Sequence, residues 1–501
     1  MSSTRNFFKI SGGIVGLMAF LAIIVAVNVI VSNIRVRKDL TKDRLYTLSE
    51  GTISAVKRLD RAVTLKFFFN SSSPGVPAYL KTFAKQVEDL LQEYAAVSDG
   101  RIVVEKYDPE PDSEAEEWAQ KYGLSGQPLE MFGPSIYCGL AAVAGGMEGA
   151  IPAIDPRSEE LLEYNITRLI YRVVHPDKPT VGVMSALPVM GAAPSPFMQK
   201  NQSQPLVVFK DMQEDYVVRN VPVTVGKIDD DVKALILVHP QSLPDKALYA
   251  IDQFVLRGGR LMVLMDPFCI ADMELNSNQQ PMSMPNNSSD LDRLLKAWGV
   301  GYNSDKVLAD MNAASRINVG GSRVEESRLW LTFNDKNLDR KDIVTAKLNS
   351  MMVPYAGMFT PPTSKDITAT PLITSSDNSA GVSTLTARFG EQAVRNEFKK
   401  GGLPMTVAMR LKGKFKTAFP DGEPPAKPED EENPEKPPEQ PKPAGENKGL
   451  MEGESTIILV ADVDMFYDRF CVEAFNVFGH MAYQPLNDNV SFFANAVEQI
   501  A

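Results

Sequence analysis

Apolar and polar positions alternate along this chain with three distinct periods. The first is no period at all: from Ile10 to Ile34 every residue is uncharged, and Ile14–Val31 is dominated by Ile, Val, Leu, Ala and Phe. At about 1.5 Å per residue such a run spans roughly 37 Å as a helix, enough for a ~30 Å hydrocarbon layer with some tilt. It is longer than the apolar core of a cleaved signal peptide, and Val31-Ser32-Asn33 is a poor cleavage site. The expectation is an uncleaved transmembrane helix over 10–34, after a cytoplasmic tail of residues 1–9.

Beyond Arg35 the pattern is that of a globular body. Ser49 can cap a helix with Ile53, Val56 and Leu59 on one face. Val63, Leu65, Phe67 and Phe69 alternate as in a strand. Leu80, Phe83, Ala84, Val87, Leu90, Leu91 and Tyr94 recur at helical spacing, and Ile102–Tyr107 reads as a second strand. One crossover between two strands predicts a parallel, right-handed βαβ pair. This defines a small N-terminal α/β domain over 41–150. It has no Cys-x-x-Cys, so redox chemistry is not supported.

A second α/β run begins near 151. Leu162, Ile166, Leu169, Ile170 and Val173 make an amphipathic helix, and Pro179–Met184, Tyr216–Val223, Ala234–Val238 and Arg260–Met265 read as strands. Helices are expected over Pro205–Asp215, Leu243–Leu256 and Leu291–Trp298. All-apolar strands alternating with helices predict a doubly wound, mostly parallel sheet covered on both faces. Further strands are expected near Lys306–Ala309, Arg328–Phe333, Met405–Phe415 and Thr456–Val460. Between the last two, Pro420–Gly449 holds nine prolines and nine acidic residues, too little apolar surface to offset its ordering entropy. A disordered acidic, Pro-rich insertion over 417–449 therefore interrupts a domain formed by 151–416 plus 450–501.

Net charge is −11, with no basic face, which excludes a nucleic-acid partner. Three separated cysteines, Cys138, Cys269 and Cys471, form neither a disulfide framework nor a metal spacing. No phosphate-binding Gly-rich loop and no Gly-x-Ser-x-Gly elbow occur. Asp462-x-Asp464 at a strand end is read as capping rather than as a metal site, and no metal, cofactor or catalytic residue is assigned. In an open parallel sheet ligands favour the crevice at the C-terminal strand ends. The ends here carry Ser185, His239, Asp266 and Asp462, which are the candidates for a ligand or partner crevice.

Several strings taken in order resemble the GldG family of ABC-transporter auxiliary subunits, whose soluble domain is related to the GIFT domain. They are Leu40–Ser49, Leu162–Ile170, Pro179–Val183, Ala250–Pro267, Leu411–Pro420 and Val460–Phe466. The resemblance covers nearly the whole chain. It implies a non-catalytic, amidotransferase-like sheet, permease and ATPase partners, and a single-pass protein of the bacterial inner membrane with a periplasmic body. The flanking charges alone lean the other way: Arg35, Arg37, Lys38, Lys42 and Arg44 follow the span, against Arg5 and Lys9 before it. The family also continues past the segment corresponding to Asn487–Ala501 into a second membrane helix. The expected function is thus a membrane-anchored binding or scaffold subunit of an export or gliding-related ABC system, taking a periplasmic protein or glycan ligand. A membrane-tethered cell-envelope hydrolase and a purely structural envelope protein are the alternatives. A nucleophile with a base in hydrogen-bond reach would favour the hydrolase.

Overall fold

A computed structural model describes residues 48–73, 75–128, 135–156, 159, 162–191, 204–275, 287–318, 324–425, 449–477 and 480–501. The expected membrane span 10–34 and the bulk of the acidic insertion, 426–448, lie outside these residues. Among the described residues no helix is long and apolar enough to cross a membrane. Two compact units divide between Asp177 and Lys178.

In the first unit, Ser49 Oγ accepts the Thr52 N–H at 3.3 Å and starts helix α1 (Glu50–Lys57). Strand β1 (Val63–Phe69) is followed by α2 (Ala78–Val97) and by β2 (Ile102–Tyr107), which pairs parallel with β1. A short helix, α3 (Glu114–Lys121), leads to a hairpin of β3 (Cys138–Ala144) and β4 (Met147–Ile151). Strand β3 pairs antiparallel with β1, so the sheet order is β2-β1-β3-β4. Helix α4 (Leu162–Val174) then lays Ile166, Leu169, Ile170 and Val173 into the same core as α2 and β1. Glu163 of α4 accepts the Ser49 N–H at 2.8 Å, and the Tyr94 hydroxyl donates to the Glu163 carbonyl at 2.8 Å. The sequence pattern groups this helix with the domain from 151 onward. The structure gives it to the first unit, because its apolar stripe packs with α2 on the same face of the four-stranded sheet.

The second unit is built on a nine-stranded sheet. Its parallel half contains β5 (Thr180–Ser185), β6 (Val217–Asn220), β7 (Val232–Val238) and β8 (Arg260–Leu264). The other members are β9 (Gly301–Tyr302), β10 (Phe359–Thr360), β11 (Ile367–Thr374), β12 (Thr406–Lys416) and β13 (Glu452–Val460). The order is β9-β10-β12-β13-β8-β7-β5-β6, with β11 also paired to β12. Strands β6, β5, β7, β8 and β13 run parallel; β12 joins β13 antiparallel and carries the remaining strands antiparallel. The antiparallel half comes from the mixed stretch after Trp298, and β12, its eleven-residue member, joins it to the parallel half.

The all-apolar strands serve two faces at once, as period 2 requires. Ala234, Ile236 and Val238 of β7 enter one core with α5 (Val207–Met212) and the C-terminal helix Asn489–Ile500. Leu235 and Leu237 enter the other with α6 (Asp245–Leu256) and, after the one-turn helix α7 (Ile270–Leu275), with α8 (Asp292–Trp298). Strands β12 and β13 pair from Ala408↔Val460 to Lys416↔Glu452, so residues 417–449 join two neighbouring strand ends. Among the described residues three further sheets decorate the unit: Lys306–Asp310 with Ser379–Ser383, Ala314–Asn318, Val324–Asn334 and Ser350–Pro354 together, and Val472–Val477 with His480–Pro485.

Candidate functional site

Strands β5, β7, β8 and β13 are consecutive neighbours and all parallel. Their C-terminal ends therefore emerge on one edge, with Ser185 ending β5, His239 following β7, Asp266 after β8 and Asp462 after β13. Between β5 and β7 the chain order reverses direction across the sheet, which is where open α/β sheets form a crevice.

Three of the four residues are fully buried: His239, Asp266 and Asp462. Ser185 is half-buried, and its Oγ accepts the Leu187 N–H at 3.0 Å. The other three belong to one connected network. His239 is held at φ +49° by its own N–H, which donates to the Leu264 carbonyl at 2.9 Å. Its Nδ1 lies 2.9 Å from Ser289 Oγ, and its Nε2 lies 3.5 Å from Asp272 Oδ2. Ser289 Oγ also accepts the Asp266 N–H at 2.9 Å, and the Ser289 N–H donates to the Asp266 carbonyl at 2.7 Å. The hydroxyl keeps a second lone pair and its proton, so the direction of its bond to Nδ1 follows the imidazole tautomer.

The carboxylates are held by backbone amides. Asp266 Oδ1 accepts from Phe268 N–H at 2.7 Å and Oδ2 from Val463 N–H at 3.0 Å. Asp464 Oδ2 accepts from Ile270 N–H at 2.7 Å and Oδ1 from Ala271 N–H at 2.8 Å, so it ties the start of α7 to the loop after β13. The Cys269 thiol points at the same Oδ1, 3.5 Å away. Asp462 Oδ1 accepts from Met465 N–H at 2.9 Å, closing the 3-10 turn Asp464–Phe466. Its Oδ2 and the Tyr302 hydroxyl are buried without a hydrogen-bond partner among the described residues.

Burial pushes all three carboxyls up, and each is pushed further by a neighbouring carboxylate: Asp266 by Asp464, Asp462 by Asp266 and Asp464. Asp464, with burial again the main cause and its amide donors opposing it, sits at about 7. Among the described residues no lysine, arginine or histidine pairs with any of the three. Burial likewise raises the Tyr302 hydroxyl, and next to burial its largest influences are Asp266, Asp462 and Cys269. Donor atoms of Asp266, Cys269 and Asp464 lie within 4.8 Å of one another, a spacing compatible with shared coordination of a cation.

Ser289, His239 and Asp272 stand in the order of a nucleophile, a base and an orienting acid. The arrangement is closed, however. Ser289 is wholly buried and its oxygen is occupied by the Asp266 amide. As it stands, this chain of bonds fixes the loops after β7 and β8 and presents no nucleophile. Ser289, Asp272, Asp464, Cys269 and Tyr302 were absent from the sequence-derived crevice. Asp464 and Cys269 carried a signal, since each lies within three residues of a strand-end aspartate. Ser289 and Tyr302 carried none, because only tertiary contact brings them there.

Residues 178–496 match the profile of a family described as an ABC-type uncharacterized transport system. The chain belongs to this family. A separate domain of unknown function matches residues 42–142 of this ABC-type transport-system protein. No curated protein sequence matches it. Among solved structures, the family member is similar to an exo-beta-1,4-mannosidase from Opitutaceae bacterium strain TAV5, at 10% identity and a TM-score of 0.23, over 84% of this chain and 50% of that one. A beta-galactosidase from Bacillus circulans sp. alkalophilus gives 12% identity and a TM-score of 0.23, over 76% and 55%. The chain thus spans about half the length of these glycosidases, and scores this low carry no argument about fold or activity.

Proposed function

We propose that this auxiliary transport protein is a non-catalytic, membrane-anchored subunit whose body binds or scaffolds a partner outside the cytoplasmic membrane. The ATPase and permease of an ABC system would be its constant partners, and a periplasmic protein or glycan its ligand. Family membership over 178–496 supplies the transport context. The observation that carries the non-catalytic reading is the state of the C-terminal sheet edge: its acids and its serine are buried and engaged by backbone amides. An edge built this way holds loops in a fixed shape, and a fixed shape is what recognition requires. The uncharged run Ile10–Ile34 supports anchoring.

The Ser289–His239 contact favours a hydrolase as the second reading. Both readings are tested with a tagged full-length chain. The expected result is fractionation with membranes, release on deletion of residues 1–47, and co-purification of an ATPase and a multi-span permease. Esterase, peptidase or glycosidase turnover that is lost in Ser289→Ala but retained in Ser185→Ala would overturn the non-catalytic reading in favour of the hydrolase.

A further inference from the structure

The loops after β8 and β13 bring two carboxylates and a thiol into one buried space. Asp266 and Cys269 come from the first loop with a two-residue spacing, and Asp464 comes from the second. Their donor atoms lie within 4.8 Å of each other. Asp462 is fully buried and within electrostatic reach of Asp266 and Asp464. A cluster of acids alone would be explained by protonation. Two further groups point to more than that. Asp462 Oδ2 and the Tyr302 hydroxyl are each buried without a hydrogen-bond partner among the described residues, and Tyr302 lies within electrostatic reach of Asp266, Asp462 and Cys269. A buried polar atom left unmatched carries its full desolvation cost. Here two of them lie within electrostatic reach of the ligand set, and among the described residues no basic side chain pairs with its carboxylates.

We propose that Asp266, Cys269 and Asp464 bind a divalent cation of the zinc class, with the Tyr302 hydroxyl or a water as the fourth donor. The mixed oxygen and sulfur donors select this class. Calcium and magnesium take oxygen ligands only, whereas zinc accepts carboxylate and thiolate together in a four-coordinate shell. Binding would release to solvent the Cys269 thiol proton and any proton on the Asp266 and Asp464 carboxyls, leaving thiolate and carboxylates on the metal. The amides of Phe268, Ile270, Ala271 and Val463 already orient the two carboxylates, and a carboxylate oxygen that accepts one N–H keeps a lone pair for a cation. The role is structural. The ion would clamp the start of α7 to the turn after β13, two segments almost two hundred residues apart in the chain. It would do so whether or not the protein is a transport scaffold.

The test is metal analysis of the full chain, purified without chelator. One equivalent of zinc per chain is expected, with a clear drop in melting temperature when a strong chelator removes it. Cobalt loaded in its place should give thiolate-to-cobalt charge-transfer absorption. Cys269→Ser should abolish that absorption, and Asp464→Asn should lower metal content. Should the variants fail to fold, the wild-type chain decides alone. A wild type that takes up neither zinc nor cobalt, with a melting temperature indifferent to chelator, overturns the proposal. So does stoichiometric cobalt without thiolate absorption, or absorption that survives Cys269→Ser in a folded protein.

Discussion

At the scale of single residues, burial decides the chemistry. Cys138 is pushed up to about 12 by burial alone, and the Cys471 thiol is raised by the same cause. Neither forms appreciable thiolate near neutrality, and the thiolate is the reactive species. Both should therefore resist Ellman's reagent in the native protein and react fully once it is unfolded; rapid native labelling of a Cys138-only or Cys471-only variant would contradict the structure. Asp252 of α6 offers a pH test. It accepts the Thr417 hydroxyl at 2.7 Å and the Ala418 N–H at 2.9 Å, yet burial outweighs these bonds and raises its carboxyl above the usual value of 3.8. A raised folded-state value means the native state holds the proton more tightly than the unfolded chain. The stabilisation is complete below the ordinary carboxylate range and is lost as pH rises through the folded value. Urea unfolding of wild type against Asp252→Asn should show the wild-type advantage shrinking as pH rises from about 4 towards neutrality. An advantage that grows with pH would reverse the assignment.

At the scale of elements, close approach limits what can be changed. Gly149 of β4 has room for no side chain, since a Cβ there would come within 2.9 Å of Leu169 on α4. Helix α4 therefore packs directly on the hairpin, and Leu169→Ala should cost the first unit about 2–5 kcal/mol in chemical denaturation. Gly453 in β13 faces the carbonyl of Leu256 at the end of α6, where a Cβ would collide with backbone. Gly453→Ala should cost about 1–3 kcal/mol, a typical overpacking penalty, and a neutral result would show that α6 ends elsewhere. The helical and strand periods of α2, β1 and β7 were readable because each element has one repeat and one core to satisfy. The partner of α4 was not readable: an amphipathic stripe states that a face is buried and leaves open which sheet buries it.

At the scale of the whole molecule, the two units each own a core. The break between Asp177 and Lys178 predicts that a chain beginning at Lys178 unfolds cooperatively by itself, as scanning calorimetry would show. Residues 417–449 bridge adjacent ends of the β12–β13 hairpin, so removing 426–448 should leave the melting temperature almost unchanged; loop closure changes by only about 0.6 kcal/mol per doubling of length. The sequence by itself determined the helices and strands with a clear period, such as α2, β1 and β7, that the apolar strands need two covered faces, and that His239, Asp266 and Asp462 follow strands. Those properties are local or periodic, and a linear string carries them. Only the tertiary structure decided that β5, β7, β8 and β13 are neighbours, and that Ser289, Tyr302, Cys269 and Asp464 close around the acids. Strand order and loop packing arise from contacts between residues up to two hundred positions apart, and no local pattern records which distant backbone amide a carboxylate will meet.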